Sequence, residues 1–203
     1  MLEEAVETLA RHDGPHGSLA LRRRRTADGV GRIDGVDIYE LIVNGAFVMD
    51  TVDTSTERLL ATETLDRLPT PSTILVGGLG LGFTVQALLA DARVRRVEVV
   101  ELDRAVVDWV RAGLIPHTAG VLHDERVYAE IADIRQYVPT LPADSRDAIL
   151  LDVDNGPDFL VHEANDAVYR RPFLSACARV VRPGGVLGVW SADPAEPLPR
   201  LLT

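Results

Sequence analysis

The run Ile74-Leu-Val-Gly-Gly-Leu-Gly-Leu-Gly-Phe-Thr84 carries an apolar strand into spaced glycines and out into a helical segment, Phe83 to Ala90. Glycine is needed where backbone takes positive φ or must lie against a ligand, and a helix start offers unpaired N–H groups at the same place. The spacing narrows the ligand. Gly78, Gly80 and Gly82 form GxGxG, whereas the dinucleotide fingerprint GxGxxG needs glycine where Phe83 stands. No Gly-Lys-Ser/Thr follows, which argues against a phosphate-cradling loop of the P-loop kind.

Working outward, apolar β-rich runs alternate with helical segments after Ser55, the pattern of a parallel sheet covered by helices. Strands are expected at Thr73 to Val76, Arg96 to Glu101, Arg126 to Glu130, Asp147 to Asp152 and Gly185 to Trp190. The nearly continuous apolar runs VEVVE and AILLD suit strands buried on both faces. A helix is expected from Ser55, ended by Pro69 and Pro71. Upstream of it, LALRRRR, VDIYELIV and AFVMDTV read as extended, and Asn44-Gly45 as a hairpin turn, because both positions tolerate positive φ. Leu2, Ala5, Val6, Leu9 and Ala10 recur at helical spacing, with Glu3, Glu4 and Glu7 in the first turns, so a short helix from Leu2 to Arg11 is expected. Arg22 to Arg25 are expected to be the solvated charges of an edge strand. The division that follows is 1–68 for the N-terminal helix, β hairpin unit and connecting helix, and 69–203 for an α/β nucleoside-binding domain.

The 203 residues are 46% hydrophobic and 26% charged, a composition that excludes a disordered tail or a fibrous repeat. Lys+Arg 21 against Asp+Glu 31 gives a net charge of -10, which disfavours a nucleic-acid partner and suits a cationic or neutral small molecule. Cys177 alone forms no intramolecular disulfide, and His12, His16, His117, His123 and His162 are scattered without paired ligand spacing, so no metal is expected. The acidic N-terminal segment lacks the basic start and apolar stretch of a signal peptide, and no run approaches membrane-spanning length. The expectation is a cytoplasmic protein without a membrane partner.

Three acids fall where open α/β sheets bind ligands, at the carboxyl edge of the strands. Glu101 ends the second strand of the sheet in Glu101-Leu102-Asp103, beside the glycine loop, where a carboxylate can accept both hydroxyls of a ribose. Asp133, in Ala132-Asp133-Ile134, can receive an adenine amino group or cap the short helix Ile134 to Val138. Asp152 leaves the fourth strand just before the turn Asp154-Asn155-Gly156-Pro157, placed either to act on a substrate or to cap the loop. His162 to Asp166 reads as a lid or as the first turn of the helix running to Val180, and Trp109 and Trp190 as core or interface groups.

Together these residues resemble the class I S-adenosylmethionine-dependent methyltransferase fold, and within it the spermidine synthase (polyamine aminopropyltransferase) family. The resemblance covers about residues 36 to 191: YELIVNG, the helix with Glu63-Thr-Leu, ILVGGLGLG, VEVVELD, the Asp133 segment, AILLDVDNGP and VVRPGGV. It implies a Rossmann-like α/β fold with a mostly parallel sheet behind a small β unit. It also implies that Gly78, Leu79, Gly80 and Gly82 pass the methionine-derived arm, that Glu101, Leu102 and Asp103 hold the ribose side, and that Asp133 with Ile134 frames the adenine. Asp152 matches the family's catalytic aspartate, and Glu63, Asp154 and Asn155 are placed toward the acceptor. A sulfonium donor is already activated, so such an enzyme mainly aligns an amine and takes its proton.

The sequence departs from that pattern in ways that bear on activity. Spermidine synthases carry an aspartate where Gly80 stands, an acid suited to the bare cationic arm of decarboxylated S-adenosylmethionine; ordinary S-adenosylmethionine has a carboxylate there, which a glycine backbone accepts. Ala61 and Thr62 stand where the family has Tyr and His or Gln, and Asp152-Val153-Asp154 is one residue shorter than the family's acid pair. Only Ser191 to Thr203 remain where the fold normally adds a helix and an antiparallel hairpin, so the hairpin is expected to be absent. The open edge is then covered by the tail or by a partner subunit, as in a homo-oligomer, or the chain is a shortened form. The first functional expectation is methyl transfer from S-adenosylmethionine to a small, amine-type acceptor. The alternatives are aminopropyl transfer from decarboxylated S-adenosylmethionine to a polyamine and a non-catalytic nucleoside-binding or oligomeric scaffold.

Overall fold

Strand pairing, more than local propensity, shapes the described residues up to Asp50. The computed structural model describes residues 4–26, 32–33, 36–153, 160 and 163–191. Strands β1 (Glu4–Gly14), β2 (Gly17–Thr26), β3 (Arg32–Ile33), β4 (Val36–Val43) and β5 (Ala46–Asp50) form an antiparallel sheet in the order β1-β2-β4-β3, with β5 also on β4. The helix expected from Leu2 to Arg11 is therefore a strand. Its residues pair with β2 from Glu4 opposite Thr26 to Gly14 opposite Gly17, and this ladder outweighs the weak helical preference of a short acidic segment. Leu9 and Ala10 still meet the core.

The arginine run is also placed differently from expectation. β2 is flanked by β1 and β4, so Arg22 to Arg25 do not lie on an edge. Three of them are ion-paired across the ladder: Arg23 with Glu7, Arg24 Nε donating to Glu40 Oε1 at 2.9 Å, and Arg25 Nε donating to Asp37 Oδ2 at 2.8 Å. The Asn44-Gly45 turn joins β4 to β5 as read, with φ of 52° and 79°. Beyond it the β4–β5 register slips, Leu41 facing Met49 while Ile42 faces Phe47, so Val48 is an extra residue on β5.

Helix α1 (Ser55–Arg67) leads into the second sheet: β6 (Thr73–Gly77), α2 (Phe83–Leu89), β7 (Arg96–Glu101), α3 (Arg104–Arg111), β8 (Val127–Ile131), α4 (Ile134–Tyr137), β9 (Arg146–Leu151), α5 (Arg171–Val180) and β10 (Val181–Val189). These strands are all parallel, in the order β10-β9-β6-β7-β8. The expected strand from Gly185 begins earlier, at Val181, with a register break that contains the Pro183-Gly184 kink. The helix before it starts at Arg171, because Glu163–Tyr169 forms a 3-10 segment and Pro172 opens the α-helix. Ile74, Leu75, Val76, Ile149 and Leu150 are fully buried, as strands covered on both faces require.

The chain order reverses between β6 and β9, which puts a crevice at the carboxyl ends of these two strands. Leu19, Leu21, Leu41 and Val43 of the antiparallel sheet join Ile74, Leu79 and Val99 in one hydrophobic cluster, so the first sheet is packed over that crevice. No helix among the described residues is long and apolar enough to cross a membrane.

Candidate active site

The crevice holds a pocket whose floor is the glycine loop. Gly78 has φ +92° and lies so close to the Asp152 backbone that no side chain fits, while its N–H donates to Val100 O at 2.9 Å. Asp152 N–H in turn donates to Gly77 O at 2.8 Å, which ties the end of β9 to the end of β6. Gly82, at φ +91°, turns the chain into α2.

Glu101 ends β7 facing this loop. Its Oε2 accepts the Leu79 N–H at 2.8 Å and its Oε1 the Asp103 N–H at 2.9 Å, the Leu102 backbone also donates to the carboxylate, and Glu101 lines the pocket. Burial, and to a lesser extent the charge of Asp103, raises its pKa against the lowering effect of the backbone bonds from Asp103, Leu79 and Leu102. Leu102 and Asp103 line the same wall. Asp133 caps α4, its Oδ1 accepting the Arg135 N–H at 2.8 Å, and it also lines the pocket. The Arg135 guanidinium also grips the Asp133 carboxylate and holds its pKa below the ordinary value. Ile134 lies beside it in the wall.

At the other end of the pocket, Thr84 Oγ1 donates to Asp152 Oδ2 at 2.6 Å. Burial pushes the Asp152 pKa up to about 6; the Thr84 bond opposes the shift, and the charges of Glu57 and Glu101 add to it. Glu57, only 8% exposed on the first turn of α1, lines the pocket near Asp152. Leu19, Leu41, Val43, Val48 and Met49 form an apolar roof, and Asn165 and Trp190 complete the lining. Five acids and no Lys, Arg or His line this pocket among the described residues, an electrostatic setting made for a cation.

Gly78, Leu79, Gly80, Glu101, Leu102, Asp103, Asp133, Ile134 and Asp152 are thus brought to one pocket. Gly82 stands just behind it as the cap of α2. Glu63 is not brought there: it sits exposed on α1, paired with Arg67, and the acid of that helix in the pocket is Glu57. Asp154 and Asn155 lie outside the described residues, as does His162 of the suggested lid. The sequence signal for Glu57 was ambiguous. Thr54-Ser-Thr-Glu57 has the form of a capping box, which assigns the acid to the helix end. In the structure the Thr54 side chain makes no cap and instead accepts from Arg58 Nε at 3.2 Å, and Glu57 faces inward.

The sequence model of the spermine/spermidine synthase domain matches residues 53–197, well over half of the chain. The chain belongs to the spermine/spermidine synthase domain family. Within and around that family, the chain is 34% identical over 125 residues to putrescine N-methyltransferase 2 of Nicotiana tabacum, a stretch covering 61% of this chain and 33% of the relative. It is 30% identical over 149 residues to the spermidine synthase of Coffea arabica, covering 69% and 45%. It superposes on the solved spermidine synthase of Thermotoga maritima with a TM-score of 0.73 at 18% identity, over 96% of this chain and 62% of that one. The chain spans 33% and 45% of the two curated relatives' lengths. With Glu57 taken as the helix acid of this spermine/spermidine synthase domain, Ser55 and Thr56 stand before it, where the resemblance implies Tyr and His or Gln.

Proposed function

We propose that this chain, with 69–203 as the nucleoside-binding part and 1–68 as its roof, is an S-adenosylmethionine-dependent transferase that methylates a small amine. The observation that carries the reading is the pocket itself: a ribose-competent Glu101, a glycine loop with no acid at Gly80, and a half-buried Asp152 at the acceptor end. The residues fit the donor. Glu101 offers a carboxylate in the pocket wall where ribose hydroxyls would lie, and the glycine loop offers backbone where a methionine arm would pass.

Bound S-adenosylmethionine supplies a methyl group on a sulfonium, so that a nitrogen–carbon bond forms as the sulfur–carbon bond breaks and a neutral thioether leaves. Glu57 and Asp152 draw a cationic amine to the pocket through charge. Asp152, its pKa pushed up to about 6, takes the amine proton and frees the lone pair for in-line attack. Thr84 keeps the second carboxylate oxygen fixed, so one face of the acid remains for the amine. Leu41, Val43 and Met49 exclude water above them.

The similarity to putrescine N-methyltransferase supports methyl transfer. A second reading, aminopropyl transfer from decarboxylated S-adenosylmethionine to a polyamine, draws on the similarity to spermidine synthase and on the paired acids Glu57 and Asp152. Calorimetric titration with both donors separates them. S-adenosylmethionine binding at least about tenfold tighter supports methylation; the reverse preference supports the second reading, and binding of neither leaves a scaffold.

A further inference from the structure

A β-carbon on Gly80 would lie 2.7 Å from Met49 Sδ. Gly80 itself is in the left-handed region, φ +50°, so its missing side chain points up from the loop toward the roof. Met49 reaches this spot because of the slipped β4–β5 register, in which Val48 is the extra residue. Both Val48 and Met49 then line the pocket, where simple alternation would turn one of them away.

We propose that Met49 is a specificity-determining residue for the donor arm: its thioether fills the room beside Gly80, so the arm meets bare backbone below and an apolar cap above. The inference rests on the donor-binding reading given above and adds a residue to it. Its physical content is a coupling between positions 49 and 80. A carboxylate introduced at 80 repels a donor carrying its own carboxylate and attracts a donor ending in a free ammonium. With Met49 in place that carboxylate is pressed against a thioether and the apolar roof, where an unpaired charge is costly, and the methionine has to swing into the arm's own space. Removing the thioether relieves both effects.

The test is a titration of three ligands into the wild type, Met49→Ala, Gly80→Asp and the double variant. The ligands are 5′-methylthioadenosine, which has the nucleoside but no amino-acid arm, S-adenosylmethionine and its decarboxylated form. Methylthioadenosine is expected to bind all four proteins within about twofold, reporting an intact nucleoside end and fold. Met49→Ala weakens S-adenosylmethionine by about three- to tenfold, through lost arm contacts. Gly80→Asp weakens S-adenosylmethionine by at least about tenfold without gaining the decarboxylated donor, and only the double variant binds that donor at least about tenfold tighter than Gly80→Asp does. The inference is overturned alone if methylthioadenosine binds throughout while Gly80→Asp takes the decarboxylated donor as tightly as the double variant. Failure of methylthioadenosine to bind the wild type overturns the donor-site reading and the inference together. Should Gly80→Asp not fold, Met49→Ala still decides: an unchanged ratio of S-adenosylmethionine to methylthioadenosine affinity sinks the coupling.

Discussion

A β-carbon placed on Gly78 would stand 2.0 Å from the carbonyl oxygen of Asp152. The glycine loop and the end of β9 that carries Asp152 are therefore in backbone contact. Gly78→Ala combines a forbidden contact with a left-handed φ, and is expected to cost at least about 2 kcal/mol while displacing Asp152. Thermal melting and nucleoside titration of the variant should show both losses. A normal melting temperature with normal binding would show the contact to be soft.

Asp152→Asn should abolish turnover and leave nucleoside binding nearly intact, because the amide keeps the shape and loses the base. In the wild type, turnover should rise with pH through about 6, as the carboxyl loses its proton. The stability effect runs the other way. The folded-state pKa lies above the ordinary 3.8, so the folded protein holds a proton that the unfolded chain has released. This stabilising contribution is present below the ordinary value and is lost as pH rises through about 6. Denaturant melts should show Asp152→Asn gaining on the wild type across that window, and a constant difference would contradict the shift.

Thr84 and Glu57 pull the same titration in opposite directions. Thr84→Val removes the donor to Asp152 Oδ2, so the acid limb of the pH–rate profile should move up. Glu57→Gln removes a neighbouring charge, so the limb should move down, with a higher KM for a cationic amine. Thr84→Ser restores the hydroxyl and should restore the profile. Parallel shifts in the two variants would argue against Asp152 as the titrating group.

The turn residue Asn44 holds two hairpins together: its Oδ1 accepts the Ser18 N–H at 2.9 Å, and its own N–H donates to Ser18 O at 2.7 Å. It does so at φ 52°, a conformation Asn tolerates better than Ala. Asn44→Ala should lower stability by about 1–2 kcal/mol, measured as a drop in denaturation midpoint. An unchanged midpoint would mean the ladder alone fixes the turn.

The parallel sheet was legible because buried strands such as VEVVE and AILLD advertise themselves, and with them came the addresses of Glu101, Asp133 and Asp152. The N-terminal strand was not, since Leu9 and Ala10 satisfy helical spacing and only the pairing with β2 settles the matter. The same pairing hid the role of Arg23, Arg24 and Arg25, whose partners Glu7, Glu40 and Asp37 come from neighbouring strands. Glu57 and Met49 were illegible for a sharper reason. One was masked by a capping pattern that its own helix does not use, the other by an extra residue in a ladder, and neither leaves a periodicity to count.

The Asn44 clasp also governs something far from the turn. Side chains on β4 alternate, so Leu41 and Val43 look down into the pocket while Glu40 looks away toward Arg24. A slip of one residue in this ladder would put Glu40 beside Ile42 where Leu41 and Val43 now stand, bringing a charge into the oily ceiling. The apolar character of the pocket roof is thus set partly at a turn outside the pocket lining, and insertions near Gly45 are a route by which that roof can be retuned without altering an acid below it.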